Sequence, residues 1–126
     1  MTLNRRMPPP LRSMGDFQIV RPERSRMKNG MPLNVIRAGS QEVVRLDILI
    51  GGGQWHQTQA LQALFTNRML REGTTTMTSA QIAEKLDYYG AWLELSSAVN
   101  YGFITLYSLN KYFPSTLAII SDMLMN

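Results

Sequence analysis

The sequence predicts an α+β fold: a largely antiparallel or mixed sheet with helices packed on one face, in the order β-β-α-α-β-β-α. Three observations carry this. Two runs rich in β-branched residues, residues 33–37 and 43–50, come first. Two segments with helical apolar spacing and end signals follow. A hairpin pattern over residues 92–109 then leads into a last helical run to Asn126. Strands that cluster in pairs, instead of alternating one for one with helices, argue against an all-parallel sheet.

Each element has a local reason. Asn29-Gly30 is a turn signal, and Leu33 to Arg37 and Val43 to Ile50 read as strands joined through Gly39-Ser40. In the second strand Val44, Leu46, Ile48 and Ile50 share one face, while Val43, Arg45, Asp47 and Leu49 share the other. The first helix is expected from about Thr58 to Glu72, with Leu61, Leu64 and Phe65 as its core stripe, Asn67 and Arg68 solvated or bonded to a neighbour, and Gly73 past its end. The second helix starts at a capping box, Thr78 with Gln81, and carries Ile82, Ala83, Leu86 and Tyr89 inward until Gly90. Trp92 to Ser96 and Phe103 to Leu109 form the hairpin around Val99-Asn100-Tyr101-Gly102. The last helix places Phe113, Leu117, Ile120 and Leu124 on one face, with Asn110 as cap and Pro114 in the first turn, where its missing N–H costs little.

Composition bounds the class. At 126 residues with 44% hydrophobic and 17% charged, the chain can bury a core. Absence of cysteine excludes disulfides, thiolate metal sites and cysteine nucleophiles. No apolar run reaches the roughly 18 to 20 residues of a membrane-crossing helix, and the basic start lacks the apolar segment of a secretory signal. A cytoplasmic location is the default expectation, and a periplasmic one stays open where a signal has been removed. The net charge of +4 is uneven: residues 1–28 hold seven Lys/Arg against Asp16 and Glu23, leaving six basic and seven acidic residues beyond. Residues 1–26 read as a basic, proline-containing extended arm, with polyproline geometry at Pro8 to Pro10, ahead of a domain over 27–126. Because prolines interrupt the arm and no aromatics alternate with its charges, nucleic-acid binding is the weaker reading of it.

Chemical motifs are sparse. Gly51-Gly52-Gly53 follows a strand, but no Gly-Lys-Ser/Thr comes after it, and the third glycine of a dinucleotide fingerprint would fall on His56. A strand exit or a turn needing positive φ explains it better. His56, the sole histidine, has no neighbour in sequence with which to bind a metal. The acids Asp47, Glu72, Glu84, Asp87, Glu94 and Asp122 are scattered without readable pairing, as on a solvated surface.

The order of Asn29-Gly30-Met31-Pro32-Leu33, a β-rich run ending at Gly51, a helix closing in Leu70-x-x-Gly73-Thr74, and Thr78-Ser79-Ala80-Gln81-Ile82-Ala83 resembles the insulinase/pitrilysin family of zinc peptidases, with its mitochondrial processing peptidase-like members. In that family His-x-x-Glu-His precedes the Leu-x-x-Gly-Thr ending; the two His grip zinc and the Glu activates its water. The three roles fall here on Leu64, Asn67 and Arg68. Leucine offers no ligand atom, asparagine cannot take a proton as a carboxylate does, and arginine brings a permanent positive charge that would repel the ion. The resemblance therefore implies a non-catalytic member with no catalytic, cofactor-binding or metal-binding residues of its own, zinc being expected only in a catalytic partner chain.

It implies further an incomplete pitrilysin-like domain, the first part of a longer one, since family domains run about twice the ordered length seen here and the apolar ending Met123-Leu124-Met125-Asn126 reads as a fragment. Such a half-domain would expose a sheet edge and apolar surface and so self-associate. Family members enclose unfolded peptides between two halves and pair them with a sheet edge. The matching strand is Leu93, Glu94, Leu95, Ser96 and Ser97, although the family's Asn-Ala pair is replaced by Glu94-Leu95. A proline at Ser96 is expected to weaken peptide pairing without unfolding the domain. Three functions follow as expectations: a non-catalytic subunit pairing with a zinc-bearing one around peptides, a purely structural assembly subunit, or a binding module acting through the basic arm.

Overall fold

A computed structural model describes residue 11 and residues 13–126. The polyproline geometry expected at Pro8 to Pro10 lies outside the described residues. The chain divides between Ser40 and Gln41 into two compact units.

In the first unit, β1 (Glu23–Arg26) pairs antiparallel with β2 (Pro32–Val35), Glu23 opposite Val35 and Arg26 opposite Pro32. A strand thus begins inside the segment expected to be an arm. The connection is the Asn29-Gly30 turn: Met27 and Met31 close it by a backbone bond of 2.9 Å, and Asn29 Oδ1 accepts from the Met31 N–H at 3.1 Å. Nothing in Glu-Arg-Ser-Arg favours a strand by itself; pairing with β2 makes it one.

The second unit holds a three-stranded antiparallel sheet, order β3-β5-β4, built from β3 (Val43–Gly51), β4 (Trp92–Ser97) and β5 (Tyr101–Leu109). The α+β class and antiparallel pairing agree with the sequence. The expected order is present from β2 onward, preceded by β1. The hairpin turn is tighter than expected: Ala98 N–H donates to the Tyr101 carbonyl at 2.8 Å, so Tyr101 and Gly102 already belong to β5.

Three helices follow the sheet in building the core: α1 (Gln62–Met69), α2 (Ser79–Tyr88) and α3 (Phe113–Met125). Ile82 and Leu86 of α2, Ile119, Ile120 and Met123 of α3, and Leu93, Ile104 and Leu106 of the sheet form one cluster with Met77. Leu46 and Ile48 pack against it from β3. The expected capping box is present, with Gln81 N–H donating to Thr78 Oγ1 and Thr78 N–H donating to Gln81 Oε1. Ala83, however, is exposed. On α3 the buried set is Thr116, Ile119, Ile120 and Met123, with Leu117 exposed and no side-chain cap from Asn110. The shift follows from Thr116, whose hydroxyl is satisfied by Ser108 Oγ at 3.0 Å and helix carbonyls, so a polar residue fits the fully buried position.

Candidate functional site

Leu64, Asn67 and Arg68, the positions on which the sequence resemblance lays the zinc-motif roles, lie on α1, which is shorter than expected and turned differently. It runs from Gln62 to Met69 after Leu61, the one described non-glycine residue with positive φ, at 68°. Thr58 helps to set this entry, its N–H donating to Gln62 Oε1 at 2.9 Å. Of the expected core stripe, Leu61 is 56% and Phe65 57% exposed, and only Leu64 is half-buried. Ala63 and Asn67 face the sheet instead, and Arg68 points to solvent.

Asn67, 7% exposed, is the centre of this arrangement. Its Nδ2 donates to the carbonyl of Ser96 on β4 and, at 3.3 Å, to the carbonyl of Phe103 on β5. One helical side chain therefore ties two strands from above the sheet. The opposite amide orientation would set Oδ1 against both carbonyls, so the contacts fix which atom points down. Oδ1 is buried without a hydrogen-bond partner among the described residues, as are Gln57 Oε1 and Ser97 Oγ. Room for Asn67 comes from Gly102, opposite Ser97 in the register, where a Cβ would stand 3.1 Å from Nδ2.

The glycine run closes the other side of this seam. Gly52 and Gly53 N–H groups both point to the Asn100 carbonyl, at 3.4 and 3.2 Å, and a one-turn 3-10 helix, Gln54–His56, continues with Gln54 N–H on Ala98 O and Trp55 N–H on Val99 O. A Cβ on Gly53 would lie 2.4 Å from the Ala98 carbonyl oxygen, so a bare backbone is required there. Close approach to the hairpin is what Gly53 serves, and the positive φ of 124° is what Gly52 serves, as expected for a turn leaving the strand. Between Ile50–Gly52 and α1 opens a cleft of about 370 Å³ that includes His56, Gln57, Gln62, Thr66 and Asn67.

The donor set does not fit a zinc ion. Leu64 has no ligand atom, the Asn67 nitrogen is committed to two carbonyls, and Arg68 is cationic. Among the described residues, no three His, Cys, Asp or Glu side chains gather within reach of one ion. His56 is exposed at the cleft edge.

The candidate peptide-pairing strand is the outer edge of the sheet. β4 pairs with β5 on one side and, among the described residues, with no strand on the other. Leu93 is buried and Leu95 half-buried toward the core, whereas Trp92, Glu94 and Ser96 are exposed. In an antiparallel pair the main-chain groups alternate between neighbour and open edge. Counting from the Ala98–Tyr101 bond, Ser96 and Glu94 bond inward to Phe103 and Thr105, leaving the amides of Leu93, Leu95 and Ser97 to point outward. A proline at Ser96 would therefore break the sheet itself. Ser97 is the position that removes an outward N–H.

Two acids that looked solitary in sequence are engaged. Asp122 Oδ2 accepts from the hydroxyls of Thr74 and Thr76, both at 2.7 Å, docking the α1–α2 connection on α3. The Thr74 hydroxyl first, then those of Thr76 and the Asn126 amide, hold the Asp122 carboxyl below the usual aspartate range. Asp47 takes the Thr105 hydroxyl at 2.8 Å and the Arg45 guanidinium at 2.9 Å. The Asp122 carboxylate borders a groove of about 820 Å³ between α2 and α3, remote from Asn67 in its lining.

No protein-family profile and no curated protein matches the sequence. Solved structures do match in fold. A peptidase M16 inactive domain from Pseudomonas fluorescens aligns with a TM-score of 0.77 at 19% identity, over 83% of this chain and 26% of its own. A protease from Helicobacter pylori gives 0.73 at 12% identity over 83% and 26%, and pitrilysin 0.69 at 18% over 86% and 12%. The chain spans about a quarter or less of the length of each. Its architecture is that of part of a pitrilysin-like domain, as the sequence led one to expect.

Proposed function

We propose, from the pitrilysin-like fold of this chain, that it serves as a non-catalytic peptidase-family subunit which pairs with a zinc-bearing partner and helps to enclose unfolded peptides. The observation that carries this reading is the Asn67 clasp: at the position where the resemblance puts the water-activating Glu, a neutral amide is spent on holding α1 to the β4–β5 hairpin. That use supports a scaffolding role for the helix in place of a chemical one. The adjacent edge of β4, with outward amides at Leu93, Leu95 and Ser97, offers backbone pairing to an extended peptide with little demand on its side chains. The cofactor belongs, in this reading, to the partner.

Peptide binding is the test. An unfolded, fluorescein-labelled peptide should bind the chain together with its catalytic partner. Ser97→Pro should weaken that binding about tenfold by removing an edge donor, with circular dichroism unchanged. Unchanged affinity in the folded variant would sink the β4 assignment, and stoichiometric zinc on the isolated chain would sink the non-catalytic one.

A further inference from the structure

We infer that Asn29 is a site of spontaneous modification: its side-chain amide is lost as ammonia when the Gly30 nitrogen closes a ring on it, and the resulting succinimide opens to aspartyl and isoaspartyl forms. The reaction runs between two neighbouring residues of one turn. It stands apart from the peptide-binding reading.

The chemistry needs an asparagine followed by a residue that leaves its own nitrogen uncovered. Of the asparagines in the sequence, Asn29 alone precedes a glycine. The Gly30 nitrogen gives its proton to a solvent base and attacks Asn29 Cγ, forming a five-membered ring through Cγ, Cβ, Cα, the main-chain carbonyl carbon and that nitrogen. The Cγ–Nδ2 bond breaks and Nδ2 leaves as ammonia. One water then adds to either ring carbonyl, so each turnover consumes one water and releases one ammonia. A side chain at position 30 would crowd the attacking nitrogen; none is there, and the space a Cβ would take is open.

The turn between β1 and β2 orients these atoms. Asn29 Oδ1 accepts from the Met31 N–H at 3.1 Å, and the ring closed by this bond contains both Cγ and the Gly30 nitrogen. The side chain is thus already folded toward the atom that attacks it. As Cγ becomes tetrahedral, negative charge gathers on Oδ1, where the Met31 N–H is already aimed. The Arg26 guanidinium donates to the Gly30 carbonyl at 3.0 Å and sets a positive charge beside the nitrogen that must lose its proton. One contact opposes the step, since the Gly30 N–H donates to the Met27 carbonyl at 2.9 Å and has to let go first. Two strands of four residues, β1 exposed throughout, make a hairpin that opens readily.

Other asparagines lack this combination. Asn34 lies in β2 opposite Arg24 and is followed by Val35, whose branched side chain shields the next nitrogen. Asn67 spends its nitrogen on two carbonyls. The outcome at position 29 is a new negative charge and, in the isoaspartyl form, one more main-chain carbon inside the turn that Met27 and Met31 close. That extra atom breaks the register of β1 on β2 and is not undone by refolding. The hairpin therefore carries a clock.

The full chain, held folded in mildly alkaline buffer at physiological temperature and mapped with trypsin over time, tests this. Cleavage after Lys28 and Arg37 releases residues 29–37 as one peptide. It should gain one mass unit, and fragmentation should place the gain at position 29 with Asn34 intact as the internal control. Aspartyl and isoaspartyl products should both form, and the intact chain should lose one positive charge on cation exchange. Conversion in the folded chain should be of the same order as in urea, because the turn adds orientation and removes little freedom. G30A should slow it about tenfold by covering the nitrogen. Should that variant disturb the turn, N29Q, which would have to close a six-membered ring, should keep its mass. A folded chain that stays intact at position 29 while the urea-unfolded chain converts would overturn the inference. So would conversion without any isoaspartyl product, an undiminished rate in G30A, or N29Q converting as fast as the parent.

Discussion

The Asn67 amide joins one helix to two strands, and each such bond contributes about 0.5–1.5 kcal/mol net. Asn67→Ala removes both donors but also the buried, unpartnered Oδ1, so the expected loss is about 1–2 kcal/mol in urea denaturation. Asn67→Asp should cost more, because a carboxylate would face two carbonyl oxygens in a buried seam. Midpoints unmoved in both variants would show that the clasp is ornamental to stability. The burial of Asn67 was not legible in the sequence. It depends on Gly102, whose missing side chain opens the space, and nothing in the run around Asn67 announces a glycine on a distant strand. Leu61, Leu64 and Phe65 have the spacing of a core stripe and would be read as one by any periodicity argument.

At the scale of elements, those helices and strands whose signals are local came out as read. The Thr78–Gln81 box starts α2, the β-branched run makes β3, and the residues from Trp92 to Leu109 fold back on themselves. α1 did not, because its inward face is chosen by contact with the hairpin and not by its own pattern. Where Asp122 goes was equally hidden: its partners Thr74 and Thr76 are 48 and 46 residues away. That contact has a pH signature. The folded-state pKa of Asp122 lies below its ordinary value, so the contribution is complete above the unfolded pKa of about 3.9 and fades as pH falls through the folded value. Denaturation midpoints should therefore drop on the acid side, and Asp122→Asn should flatten that limb while leaving a weaker α1–α2 anchor. An unaltered acid limb in the folded variant would mean that other carboxylates govern it.

Across the whole molecule, the division at Ser40/Gln41 separates a two-stranded hairpin from a unit with a true core. Isolated hairpins are marginal in water. Amide exchange should accordingly be fast at residues 23–35 and slow at Ile104 and Leu106; equal protection in both units would contradict it. β1 escaped prediction because its sequence is charged and its strand character is conferred by β2. The fold class was readable because it rests on many weak local signals that agree, whereas the site rests on a few long-range contacts that no local signal reports. A neutral amide at the centre of that site has a practical corollary. It neither gains nor loses a proton across the range in which enzymes work, and no chelator can extract it, so the joint between α1 and the hairpin should be as firm in EDTA and in acid as in ordinary buffer.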